Sequence, residues 1–189
     1  MTQEEISEIF TKCGALKRGH FRYTSGLHGN IYMQCAQVLK YPDYTEQLCK
    51  ELAKPFVGKV DIVVGPAMGG ILVAYEVARQ LGVPSIFAER ENGAMTLRRG
   101  FSLEPGQRVL VVEDVITTGG SVQEVINIVK AAGAAPVGVG VMVNRSGGKA
   151  DFGIQLEALL RLDLPAYKPE ECPMCKEGLP VEKPGSRQV

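Results

Sequence analysis

The stretch from Arg108 to Ser121 reads RVLVVEDVITTGGS, and that order of residue types admits few folds. Val109 to Val112 is a short apolar run suited to a strand buried on both faces, as in a parallel sheet. Glu113 and Asp114 follow at its carboxyl end, where open α/β sheets place their ligands. After the apolar pair Val115 and Ile116 come Thr117, Thr118, Gly119, Gly120 and Ser121. The spacing of Val122, Val125, Ile126 and Val129 then predicts a helix that starts at once. A loop that runs into a helix amino terminus offers free backbone N–H groups and the positive end of the helix dipole, and its glycines let an anion approach closely. A plain capping turn is the simpler reading, with Ser121 and Glu124 as a capping box. Such a turn requires neither two acids before it nor a cluster of hydroxyls and glycines. A Walker loop is excluded, since no Lys follows the glycines.

The remainder of the chain supplies a setting for that segment. Val60 to Val64, Ile71 to Leu81, Ser85 to Ala88, Val109 to Val112, the helix that ends at Gly133, and Val137 to Val143 alternate as strand and helix. This predicts a parallel sheet covered by helices. Thr2 with Glu5 predicts a capping box for an amphipathic first helix carrying Ile6, Ile9, Phe10 and Cys13. Asp43 and Glu46 signal another helix start, with Leu48, Leu52 and Phe56 on its inner face. Between these helices, residues 21–37 read as two strands around turn residues Gly26, Gly29 and Asn30, a small irregular subdomain. From Asp163 the tail holds five of the eleven prolines and reads as extended, wrapped on the surface or reaching a partner.

Length and charge narrow the class. A chain of 189 residues is enough for one full core, so a single domain over 1–189 is expected. The 21 basic and 21 acidic residues cancel, and no overall field favours nucleic acid or an anionic membrane. Anion binding must therefore be local. The amino terminus, MTQEEISEIF, is acidic where a secretory signal would be basic, and no run approaches the ~18 apolar residues of a membrane span. A cytoplasmic location is expected. Cys13, Cys35 and Cys49 are scattered, unlike a disulfide framework. Cys172 and Cys175 form a C-x-x-C pair, half of a four-ligand zinc site that a pair from another subunit would complete; free thiols in a reducing compartment are the simpler reading. His20 and His28 have no evident triad or metal partner and read as hydrogen-bonding surface or subdomain residues.

The segment 108–121 resembles the phosphoribosyl pyrophosphate (PRPP) motif of the type I phosphoribosyltransferases. The resemblance implies that fold: a central, mostly parallel sheet flanked by helices, a small amino-terminal hood over about 14–40, and an extended tail over 163–189. It also implies that Glu113 and Asp114 hold the ribose hydroxyls and that Thr117, Thr118, Gly119, Gly120 and Ser121 wrap the 5′-phosphate. Residues 65–70, reading GPAMGG, form a second glycine loop, which alone is a weak signal. In the family this is the pyrophosphate loop, here Ala67, Met68 and Gly69, with a cis peptide between Ala67 and Met68. Some members place a lysine where this chain has Gly69. Residues 89–101 match a flexible flap over the reacting centre, and Arg90, Arg98 and Arg99 are the candidates for neutralising the leaving pyrophosphate.

The hood segment, with Thr24, Ser25, Gly26 and Tyr32, resembles that of the orotate phosphoribosyltransferases, although many of those have a lysine at the place of Thr24. The resemblance implies transfer of ribose 5-phosphate from PRPP to orotate. Arg145 and Thr117 would bind orotate, Mg²⁺ would be carried by PRPP with few protein ligands, and a homodimer would exchange flaps. Two alternatives stay open. A purine phosphoribosyltransferase would share the PRPP loop, and a PRPP-sensing regulator would need a basic face or an added DNA-binding segment. Neither feature of the regulator is visible in the sequence.

Overall fold

A computed structural model describes residues 1–23, 25–162 and 165–184. Thr24 of the hood, and 163–164 and 185–189 of the tail, lie outside the described residues. The first helix, α1 (Gln3–Lys12), begins as its sequence predicts. The Thr2 hydroxyl accepts from the Glu5 N–H and the Glu5 carboxylate accepts from the Thr2 N–H, which closes the capping box. Ile6, Ile9 and Phe10 are buried.

The hood is a hairpin separate from the main sheet. Strands β1 (Leu16–Arg22) and β2 (His28–Met33) pair antiparallel, and a short helix α2 (Ala36–Leu39) follows. The first strand starts five residues before the segment that the turn pattern marks out. Gly29 and Asn30 are strand residues rather than turn residues, with Gly29 opposite Phe21. The turn itself lies nearer Gly26, whose φ of +82° suits glycine.

Helix α3 (Pro42–Ala53), β3 (Ile62–Pro66), α4 (Gly69–Leu81), β4 (Ser85–Glu91), β5 (Ala94–Leu97), β6 (Arg108–Ile116), α5 (Gly120–Ala131), β7 (Ala135–Asn144) and β8 (Leu156–Arg161) complete the main layer structure. The six strands lie in the order β5-β4-β3-β6-β7-β8, parallel throughout except for β5 on β4. This is the α/β fold expected. Residues of β6 alternate between two cores, as a strand must. Leu110 and Val112 join Leu48, Leu52, Val73 and Val77 of α3 and α4 on one face. Val109 and Val111 join Val122, Val125, Ile126 and Val129 of α5 on the other. Full burial of each such side chain stabilises the fold by about 1.5–3 kcal/mol, which is why this run cannot sit at the surface.

One expectation needs correction. Ser121 does not cap α5: the N-cap is Gly119, in the left-handed region at φ +80°, and no side chain bonds to the cap. The Glu124 carboxylate is engaged elsewhere, 2.8 Å from Arg90. The segment 89–101, expected as a flap between strands, is built on a hairpin. Its first half continues β4, turns at Asn92 and Gly93, and returns as β5, because Arg90 and Glu91 pair with Met95 and Ala94.

The described part of the tail lies on the hood of its own chain. Tyr167 exchanges two backbone hydrogen bonds with His28, at 2.8 and 2.9 Å. Glu182 accepts from the Arg22 N–H and donates to the His20 carbonyl, both at 2.8 Å. A short helix α6 (Pro173–Lys176) sits between those contacts.

Candidate active site at the reversal of strand order

From β3 the chain moves outward to β4, whereas from β6 it moves the opposite way to β7 and β8. Adjacent strands β3 and β6 therefore send their following loops to opposite faces and leave a crevice at their carboxyl ends. Open α/β sheets bind ligands at this point. Both glycine loops singled out in the sequence flank it.

The acid pair lies at the end of β6, inside the strand rather than after it, since pairing with β7 runs on to Ile116. Its carboxylates pack against the start of α4. A Cβ at Gly69 would overlap the Asp114 carboxylate, and one at Gly70 would come within 3.1 Å of Glu113 Oε1. Glycine at 69 is thus what lets the β3 loop approach the acids, and any side chain there would displace Asp114. The Ala67–Met68 peptide is cis, as the family resemblance implied.

Burial dominates the electrostatics of the pair. It pushes the Glu113 carboxyl up, and the neighbouring Asp114 charge pushes it further. Asp114 is raised by the same burial, against hydrogen bonds to Glu113 and to the Val115 N–H, which is 2.8 Å from Oδ1. Two close acids that resist ionisation together are poised to receive hydroxyl donors or a cation.

Past the acids, Glu113, Ile116 and residues 117–121 line a small hollow of about 80 Å³. Thr117 and Thr118 are exposed to it. The first intrahelical bond of α5 runs from Gln123 N to Gly119 O at 2.9 Å, so the N–H groups of the first turn face the hollow without helical partners. Gly119 is fixed by its positive φ and by the Phe152 ring, which a Cβ would strike at 2.8 Å. An anion with several acceptor oxygens fits this cradle.

Arg145 follows the last residue of β7, and its N–H bonds to the Ile116 carbonyl at 2.8 Å, beside Thr117. Its guanidinium lies over the Tyr23 ring, 5.8 Å from the centroid. Its Nε is buried and has no hydrogen-bond partner among the described residues. Native structures rarely leave a buried donor unpaired, so the group is set up for a ligand. Asn144 braces the turn by accepting from the Ser146 N–H at 2.9 Å.

The flap arginines do not converge on the crevice. Arg90 pairs with Glu124 at 2.8 Å, Arg98 with Glu91 at 3.2 Å, and Arg99 with Glu89 at 3.0 Å. Two neighbours of the site carried no sequence signal. Tyr23 sits under Arg145, and the buried Cys35 thiol donates to the Asp114 carbonyl at 3.6 Å. A tyrosine at the hairpin turn and a cysteine at the start of α2 give no periodicity that marks them as site residues. The reading of His20 and His28 as lacking metal partners is also corrected, because Cys172 and Cys175 of the same chain lie against them.

A parallel sheet with an acid pair, an anion cradle and a second glycine loop at its reversal point defines a type I phosphoribosyltransferase. The phosphoribosyl transferase domain model matches residues 43–151. An orotate phosphoribosyltransferase of Desulforamulus reducens is 63% identical over 100% of both chains. The crystal structure of orotate phosphoribosyltransferase from Aeropyrum pernix superposes with a TM-score of 0.71 at 26% identity, covering 83% of this chain and 93% of that one. An adenine phosphoribosyltransferase from Thermoanaerobacter pseudethanolicus shares the fold, with a TM-score of 0.68 at 22% identity over 85% of this chain and 100% of that one. The chain belongs to the orotate phosphoribosyltransferase family.

Proposed function

We propose that this chain, acting as one catalytic domain, transfers ribose 5-phosphate from PRPP to orotate, giving orotidine 5′-monophosphate and pyrophosphate. The observation that carries the choice of base is the unpaired, buried Nε of Arg145 over Tyr23. Orotate differs from uracil by one carboxylate, and a guanidinium grips that group with parallel hydrogen bonds. A purine offers no such anion. Spectrophotometric loss of orotate in the presence of PRPP and Mg²⁺ tests the reading directly, and failure with orotate but turnover with hypoxanthine would hand the site to the purine alternative.

In this reading residues 117–121 hold the 5′-phosphate and the acid pair accepts from the ribose hydroxyls. The loop at Ala67, Met68 and Gly69 receives the pyrophosphate at the amino terminus of α4. Thr117 and Arg145 hold the base so that its ring nitrogen faces the anomeric carbon; the C1–O bond to pyrophosphate breaks, the N–C1 bond forms, and the ring nitrogen's proton is released. The reaction needs positioning and charge neutralisation rather than a protein nucleophile. Glu113 and Asp114 supply the hard oxygen donors that Mg²⁺ takes, and the ion, carried mainly by PRPP, would neutralise the departing pyrophosphate. Arg90, Arg98 and Arg99 serve the same leaving group by exchanging Glu124, Glu91 and Glu89 for phosphate oxygens. These ion pairs are largely exposed, so little opposes the exchange.

PRPP binding should release protons. Ribose hydroxyl donors and a nearby cation favour ionised carboxylates, and both acids start with raised pKa values. Calorimetry in two buffers of different ionisation enthalpy is expected to show proton release on binding PRPP with Mg²⁺. Net uptake would place the ligand away from the pair.

The active unit is a homodimer. Met68, Leu72 and Tyr75 are 83%, 52% and 66% exposed and recur along one face of α4, directly after the pyrophosphate loop. A second copy of the chain on this stripe would cover apolar surface next to the active site. Leu72→Glu is expected to give a folded monomer by light scattering with most activity lost. A fully active monomer would sink the dimer requirement. Among the described residues no helix is long and apolar enough to cross a membrane, and the free cysteines suit a reducing cytoplasm.

A further inference from the structure

We propose that the hood and the carboxyl-terminal tail are fastened by a structural zinc ion bound by His20, His28, Cys172 and Cys175, independent of which base the enzyme uses. The four ligand atoms all lie within 4.8 Å of one another. Cys172 is 0% exposed, and His20 and His28 are 5% and 6% exposed, so three of the donors are buried and the half-buried Cys175 closes the set toward the surface. The measured separations are 2.9 Å from His20 Nε2 to His28 Nδ1, 3.2 Å from His28 Nδ1 to Cys175 Sγ, and 3.5 and 3.6 Å from His20 Nε2 to the two sulfurs. Tetrahedral zinc with its usual bond lengths spaces such donors by about 3.3–3.8 Å, so on binding the two nitrogens would move apart by a few tenths of an ångström and the widest pair, within 4.8 Å, would close by up to about 1 Å.

The protonation pattern points the same way. His20 Nδ1 lies 2.9 Å from the Leu179 carbonyl, which can only accept, so the ring proton sits on Nδ1. Nε2, the ring's other nitrogen, faces the other three donors and is the atom left to bind a metal. A backbone carbonyl that orients the far nitrogen is the usual support for a metal-bound histidine. Cys172 caps α6 and Cys175 lies within it, so the C-x-x-C spacing turns both thiols to one side. Two histidines from adjacent hood strands and two cysteines from one tail turn make a closed Cys₂His₂ set, with no open position for chemistry. The same chain therefore supplies both halves.

The ion would cross-link segments separated by 152 positions and held otherwise by the backbone contacts of Tyr167 and Glu182. It would also fix the hairpin that carries Tyr23, and so the floor under Arg145.

Elemental analysis of the full-length protein, stripped and reconstituted with Zn²⁺, is expected to give about one zinc per chain. Cys175→Ser and the Cys172→Ser, Cys175→Ser pair should fall to background while keeping a native circular dichroism spectrum. Co²⁺ added to the stripped wild type should give the intense visible bands of tetrahedral thiolate coordination. Chelation should lower the melting temperature, and Zn²⁺ should restore it. Stripped wild-type protein that takes up neither ion, a Cys172–Cys175 disulfide in protein kept under reducing conditions, or a double variant that binds zinc as well as wild type would each overturn the proposal.

Discussion

Arg145→Ala is expected to raise KM for orotate roughly tenfold to 150-fold while KM for PRPP changes little. That range is the worth of a charge-assisted hydrogen-bond pair, about 1.5–3 kcal/mol. The wild-type guanidinium has a buried Nε with no partner among the described residues, so its removal breaks no hydrogen bond of that nitrogen to them. The cation–π contact with Tyr23 is the only folded-state loss the side chain's described contacts point to. The unfolding midpoint should therefore stay near wild type. Initial-rate kinetics with each substrate varied, alongside thermal melts, separate the outcomes. Equal losses for both substrates would indicate a folding defect, and an unchanged KM for orotate would remove Arg145 from the base site.

Asp114→Asn should weaken PRPP binding and stabilise the ligand-free fold together. The loss of a charged acceptor for ribose hydroxyls costs about 1–3 kcal/mol, or roughly fivefold to 150-fold in affinity. The gain in stability has the opposite origin. Glu113 is pushed up first by burial and then by the Asp114 charge, and Asn keeps the shape while removing that charge. A carboxyl whose folded pKa is raised contributes stability that is fully present below the unfolded value of about 4 and is lost as pH rises through the folded value. Wild type should thus lose stability as pH climbs above the ordinary carboxylate range, and the variant should lose less. Calorimetric PRPP titrations and melts across that window check both signs. Unchanged affinity, or a variant that is less stable at neutral pH, would contradict the placement of the pair.

The segment 108–121 was legible because every one of its roles is local. Burial on both faces selects the apolar run, the end of the strand fixes where the acids stand, and the glycine loop opens a helix whose free N–H groups need no distant partner. The first capping box was readable for the same reason. The capping box assigned to Ser121 and Glu124 failed because Glu124 is also within reach of Arg90, a partner 34 positions away that local pattern cannot show. The hairpin inside the flap segment was hidden from the sequence for a similar reason. Arg90, Arg98 and Arg99 make the stretch look solvated, yet edge pairing of β4 with β5 needs only backbone groups, and polar side chains are at home on an edge strand.

The sequence by itself determined the alternation of strands and helices, the acid pair, the glycine-rich loop before α5 and the arginine placed after β7. Periodicity and turn chemistry encode which face of an element is apolar and where it stops, and these suffice for a site built at strand ends. Tertiary structure alone decided what stands across from each face. It set β3 beside β6 so that Gly69 meets Asp114, laid Arg145 over Tyr23, and brought Cys172 and Cys175 onto His20 and His28. Those partners are chosen by long-range packing and by the fold-back of the tail, and contacts between residues more than a hundred positions apart leave no period in the sequence.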